Sequence, residues 1–131
     1  MRVLVSGSRS ISDPALVEQA ITESGFPITT LLSGGARGVD RMAEAWAERH
    51  GIPIERIKPD WKRHGRGAGF KANEALISRA EAVVAIWDGV SKGTKSVLEL
   101  AKSSKLYLYL SRNYHCNHSL KNDPQLYGES P

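Results

Sequence analysis

The chain has 131 residues, of which 40% are hydrophobic and 24% charged, and it carries a formal net charge of +4. That size suits one compact domain and leaves little room for a second. Its apolar runs are strand-sized, which excludes a helical membrane span, and its basic balance favours anionic partners such as nucleotides or nucleic acid.

Arg2-Val3-Leu4-Val5 reads as a buried strand that ends abruptly at Ser6-Gly7-Ser8-Arg9. The stretch from Met1 lacks the apolar core and cleavage site of a signal peptide, and Cys116 is a lone cysteine, so a reducing, cytoplasmic setting is expected. Asp13 has the chemistry of a helix N-cap, with Pro14 at the first helical position. Val17, Ala20 and Ile21 share one face of that helix, which Gly25 ends. Thr29-Thr30-Leu31-Leu32 is a second strand, and it runs into the loop Ser33-Gly34-Gly35-Ala36-Arg37-Gly38. Val39, Met42, Ala43 and Trp46 then fall at helical spacing until Gly51 and Pro53.

Ile54 to Ile57 reads as a third strand, and residues 58–69, rich in glycine and basic side chains, read as irregular. A helix from roughly Lys71 to Arg79 precedes Ala82-Val83-Val84-Ala85-Ile86-Trp87, the clearest strand in the sequence. After the loop Asp88 to Thr94, a last helix buries Val97, Leu98 and Ala101, and Leu106 to Leu110 forms a fifth strand. Residues 1–110 thus make the domain, and residues 111–131 make a polar C-terminal extension suited to a tail or an oligomer contact.

Strands alternating with helices imply an α/β domain in three layers, with a five-stranded parallel sheet covered on both faces. Right-handed crossovers give the strand order 3-2-1-4-5. Under that order the loops after strands 1, 2 and 4 meet at one sheet edge, where such sheets bind ligands.

The chemistry of these loops fits an anion. In Ser33 to Gly38, glycines permit positive φ and close approach to the backbone, and the following helix start offers unpaired N–H groups. Gly34, Gly35, Ala36 and Gly38 are therefore assigned to ligand binding, and Arg37 to a bidentate phosphate contact. A tight turn with glycines used only for packing is the competing reading. Asp40, in the first helical turn, either orders the loop or accepts a hydrogen bond from a ribose hydroxyl. Gly7, Ser8 and Arg9 add a second glycine, a hydroxyl and another cation. Across the crevice, Trp87 stacks a base or belongs to the core. Asp88 and Gly89 lie beside it, and Gly93 and Thr94 bind a phosphate or ribose, or Thr94 simply caps the helix.

Lys58, Lys62, Arg63, Arg66 and Lys71, with Trp61 and His64 among them, suggest a lid over a polyanion, a nucleic-acid patch or a solvated loop. His115-Cys116-Asn117-His118 groups three donors, yet no second cluster has ligand spacing, so no metal is expected.

Together these motifs resemble the SLOG superfamily, the Rossmann-like group that includes the DprA/Smf proteins and the LOG phosphoribohydrolases, and most of all its YspA-type branch. The resemblance rests on Val5 to Arg9, Gly34 to Arg41 with Ala43 and Trp46, Trp61, Gly65-Arg66, Ala68-Gly69, Asn73, Trp87-Asp88-Gly89 and Gly93-Thr94. It implies a nucleotide or nucleotide-derived ligand, ADP-ribose-like or related, that the protein senses or sequesters. It adds Asn73 to the ligand-binding residues and implies a homo-oligomer with no separate cofactor. Two alternatives come with it: N-glycosidase activity on a nucleotide, and single-stranded nucleic-acid binding as in DprA. LOG enzymes resemble one another in a Gly-Thr-x-x-Glu signature and a partner arginine, and here those positions are Val97 and Ala72. Cleaving an N-glycosidic bond builds positive charge on the ribose, which a carboxylate stabilises. Asp40, Glu74 and Asp88 are possible substitutes, with Asp40 and Asp88 the catalytic candidates.

Overall fold

A computed structural model describes residues 1–112 and the backbone of a strand at 125–127. Strands β1 (Arg2–Gly7), β2 (Thr30–Ser33), β3 (Ile54–Arg56), β4 (Ala82–Trp87) and β5 (Tyr107–Arg112) alternate with helices. These are α1 (Pro14–Ser24), α2 (Val39–Arg49), α3 (Trp61–His64), α4 (Ala68–Arg79) and α5 (Lys92–Ser103), with a 3-10 turn at Gly65–Gly67. The five strands are parallel and stand in the expected order, β3-β2-β1-β4-β5. The sequence had not marked β6 (Gln125–Tyr127), which lies antiparallel against β5.

Alternate residues of each strand feed two cores. Val3, Val5, Leu31, Val84 and Ile86 point to one face, where they pack on Val17 and Ile21 of α1 and Val39 and Ala43 of α2. Leu4, Leu32, Val83, Leu108 and Leu110 point to the other, against Leu76 and Ile77 of α4 and Val97 and Leu98 of α5. Each such side chain contributes about 1.5–3 kcal/mol of burial free energy, which fixes the strand register. Among the described residues, no helix is long and apolar enough to cross a membrane.

The caps of α1 follow the expected chemistry. Asp13 accepts from the Ala15 N–H at 3.0 Å, and Gly25 takes the left-handed conformation with φ 70°. Three local expectations need correction. Residues 58–69 are not irregular, because the Asp60 carboxylate accepts from Arg63 N at 3.2 Å and nucleates α3. The next helix, α4, accordingly starts at Ala68 rather than near Lys71. Thr94 is not the N-cap of α5; that position is Ser91, and Thr94 lies buried in the first turn with its hydroxyl 3.3 Å from that of Ser91. The reason is the Asp88 carboxylate, which binds Val90 N and Ser91 N and finishes the turn early. Cys116 and the His115–His118 cluster lie outside the described residues.

Candidate ligand-binding crevice

The carboxyl ends of β1, β2 and β4 open into a crevice of about 740 Å³. That is within the usual range of roughly 300–1,000 Å³ for small-molecule sites. Its walls come from the β1 loop, the Gly34–Ala36 loop, the segment Lys58 to Trp61, one face of α4, and the start of α5.

Two glycines hold the floor together. A Cβ on Gly7 would stand 2.5 Å from the Val39 methyl and 2.6 Å from the Ile86 carbonyl oxygen. Gly38 has φ 83°, and a Cβ there would lie 2.9 Å from Arg9 Cα. Gly38 therefore packs loop on loop and is not part of the crevice wall. The β1 and β4 loops are also tied by hydrogen bonds. Ser8 N donates to Ile86 O at 3.0 Å, and Ser8 Oγ, fully buried, accepts from Asp88 N at 3.1 Å.

Asp40 is the most informative residue of the site. It lines the crevice yet is only 6% exposed, and its Oδ2 accepts from Ala36 N at 3.1 Å. Burial pushes its carboxyl up to about 6, and the nearby Glu44 charge adds to this; the amides of Ala36 and Gly34 and the charge of Arg9 only partly oppose it. The glycine loop thus already holds an anion, and that anion belongs to the protein.

Beneath the loop lies a second carboxylate. Glu44 accepts from Ser33 Oγ at 2.6 Å and from Arg56 Nε and Nη2 at 3.0 and 2.6 Å. Burial alone would raise its carboxyl, but the Arg56 and Ser33 hydrogen bonds outweigh burial and hold it below the usual range. Ser33 Oγ also accepts from Gly35 N at 3.1 Å, and Arg41 Nε donates to Gly35 O at 3.3 Å, so the network shapes the loop from below. Arg56→Ala should lower the urea midpoint at pH 7, by less than the loss of a fully buried pair would, because the Arg56 side chain is 43% exposed and solvent screens it.

The other expected residues divide clearly. Arg9, Asn73, Asp88, Gly93 and Thr94 reach the wall, while Ser8, Arg37, Trp87 and Gly89 do not. Arg37 is exposed, and Trp87 packs with the second core while its Nε1 donates to Ser91 O at 3.0 Å. Asp88 spends its oxygens on Val90 N, Ser91 N and Ser10 Oγ, each at 2.9 Å. Those bonds outweigh burial and keep its carboxyl below the ordinary range. Gly93 differs from the packing glycines, since a Cβ there would meet nothing within 4 Å. Val97 is 2% exposed in the core and Ala72 lies on the crevice wall, so neither supplies the LOG-type pair of charges.

Sequence reasoning placed Lys58 and Trp61 only in a possible lid, among three readings of that segment, and did not assign Ser6, Ser10 or Ser91 to the site, although all five line it. For Lys58 a signal existed: it lies just past the carboxyl end of β3, at the same sheet edge as the glycine loops.

A doubly wound, Rossmann-like α/β sheet with its crevice at the switch between β1 and β4 defines the class. Residues 1–64 match the family described as "YspA, cpYpsA-related SLOG family". The "Gene 61 protein" of Mycobacterium phage D29 is 32% identical over 113 residues, covering 79% of this chain and 90% of that protein. The chain belongs to this YspA-type SLOG family.

Proposed function

We propose that the crevice binds a nucleotide or nucleotide-derived molecule, which the protein senses or sequesters. The observation that carries this reading is the pairing, in one crevice, of a buried acceptor with an open helix start. Asp40 offers a carboxylate to ribose hydroxyls. Among the described residues no side chain caps the start of α5, where Gly93 leaves space for an anion against the backbone N–H groups beside Thr94. Arg9, on the same wall, supplies a cation for phosphate.

Calorimetry against ATP, ADP-ribose, NAD and cyclic dinucleotides tests it. Gly93→Ala, which meets no steric obstacle, should leave stability unchanged or slightly raised and weaken binding about tenfold, a change of roughly 1.4 kcal/mol. Absence of binding across the panel would overturn the reading, as would full affinity in Gly93→Ala.

The Asp40 carboxylate on the crevice wall favours a second reading, N-glycosidase action, in which it stabilises the ribose cation. Release of free base from the same nucleotides, abolished in Asp40→Ala, would support it. Intact nucleotides after long incubation would exclude it.

A further inference from the structure

The strand order sets three chemistries in a row along the crevice. After β3 comes Trp61, beside Lys58; over β2 and β1 lies the Asp40 carboxylate with the glycine loop; after β4 comes the open start of α5. The row spans three strand spacings, or roughly 14 Å. An aromatic plate, an acceptor and an anion site in that sequence match the order of base, ribose and phosphate in a nucleotide.

Trp61 is unusual for its residue type. It is 57% exposed although it lines the crevice, and it opens α3, the helix that Asp60 caps. The far edge of its ring rests near Gly69 of α4, where a Cβ would lie 3.7 Å from Trp61 Cη2. Trp46 stacks on His50, and Trp87 is held by its indole hydrogen bond to Ser91. Trp61 has neither kind of partner among the described residues. Exposing an indole costs burial free energy unless something flat covers it.

We propose that Trp61 is the base-stacking platform of this site, so that the ligand is a nucleotide whose base lies at the β3 end and whose phosphate lies at the start of α5. This rests on the nucleotide-binding reading above and adds the ligand's direction and its need for a base. Lys58, packed along Gly35 at the same end, supplies a donor to the base edge or to a bridging phosphate.

The test compares ligands with and without a base. The full chain and its Trp61→Ala and Trp61→Phe variants are titrated with AMP, GMP, CMP, UMP, ADP-ribose and ribose 5-phosphate. A single-stranded oligodeoxynucleotide forms a separate arm. Wild type should bind at least one base-bearing ligand more tightly than ribose 5-phosphate, with quenching of tryptophan fluorescence that Trp61→Phe removes. Trp61→Ala should weaken that nucleotide about tenfold, leave ribose 5-phosphate unchanged, and be rescued largely by Trp61→Phe. Equal loss for both ligands, or no loss for either, would overturn the platform while leaving nucleotide binding intact. So would loss confined to the oligodeoxynucleotide, which would assign the ring to nucleic acid. If wild type binds none of the small ligands, the nucleotide reading itself fails, and the platform with it.

Discussion

Asp40→Asn is expected to unfold at a higher urea concentration than wild type at pH 8, while losing most of its affinity for ligand. Burial favours the neutral carboxyl and pushes Asp40 from its ordinary 3.8 to about 6. The folded chain therefore holds this proton more tightly than the unfolded chain. Stability is fully present below about pH 4, falls as the pH rises through 6, and stays lowered above that. A rise of roughly two units corresponds to about 3 kcal/mol. Asparagine keeps an oxygen for Ala36 N but brings an NH₂ group that needs a partner, so a net gain of about 1–3 kcal/mol is expected. The gap between variant and wild type should close as the pH is lowered from 7 to 4. Ligand affinity should move the other way. On the proposed reading a ribose hydroxyl donates to the ionised carboxylate, and wild-type binding should then weaken below pH 6. A less stable variant, or a gap that ignores pH, would show that Asp40 is only a loop brace.

Gly38→Ala should have the largest purely structural effect. With φ 83° and ψ −129°, Gly38 occupies a region closed to side chains, and its Cβ would lie 2.9 Å from Arg9 Cα and 3.0 Å from Ser8 O. Backbone strain and overpacking together should cost about 3–5 kcal/mol, enough to unfold a marginal domain. Gly51 is the matched control, with φ 67° and nothing within 4 Å of a Cβ. Gly51→Ala should cost only about 1 kcal/mol, as strain alone. Denaturant midpoints for the pair separate conformation from crowding. Equal losses would remove the claim that the β1 and β2 loops meet at Gly38.

Much of the fold was legible because period and punctuation agree. Ala82 to Ile86 is apolar at every position, as a strand covered on both faces must be, and Asp13-Pro14 marks a helix start by capping chemistry alone. The α3 turn was masked by composition: Gly65, Arg66 and Gly67 look like loop, whereas the deciding contact is one carboxylate of Asp60. β6 is only three residues of a polar segment, too short to show a period. In the site, the loops were readable from glycine and strand order. The partition of roles was not. Whether Gly38 serves packing and Gly93 leaves space depends on neighbours far along the chain. The Glu44–Arg56 pair joins α2 to β3, and no local pattern links them. Trp87 at a strand end read either as a stacking ring or as core, and it packs with the core, its indole N–H engaged by Ser91, while Trp61 stands open.

The two cores lie on opposite faces of the sheet, and they share only the strands between them. Asp40 reaches the crevice from α2 on one face, while Asn73 and Gly93 reach it from α4 and α5 on the other. A ligand seated there acts as a rivet through the laminate. Sliding one helical layer past the other would have to break it first. Occupancy should therefore protect amides in both layers from exchange together, so that the whole domain reports whether the crevice is filled.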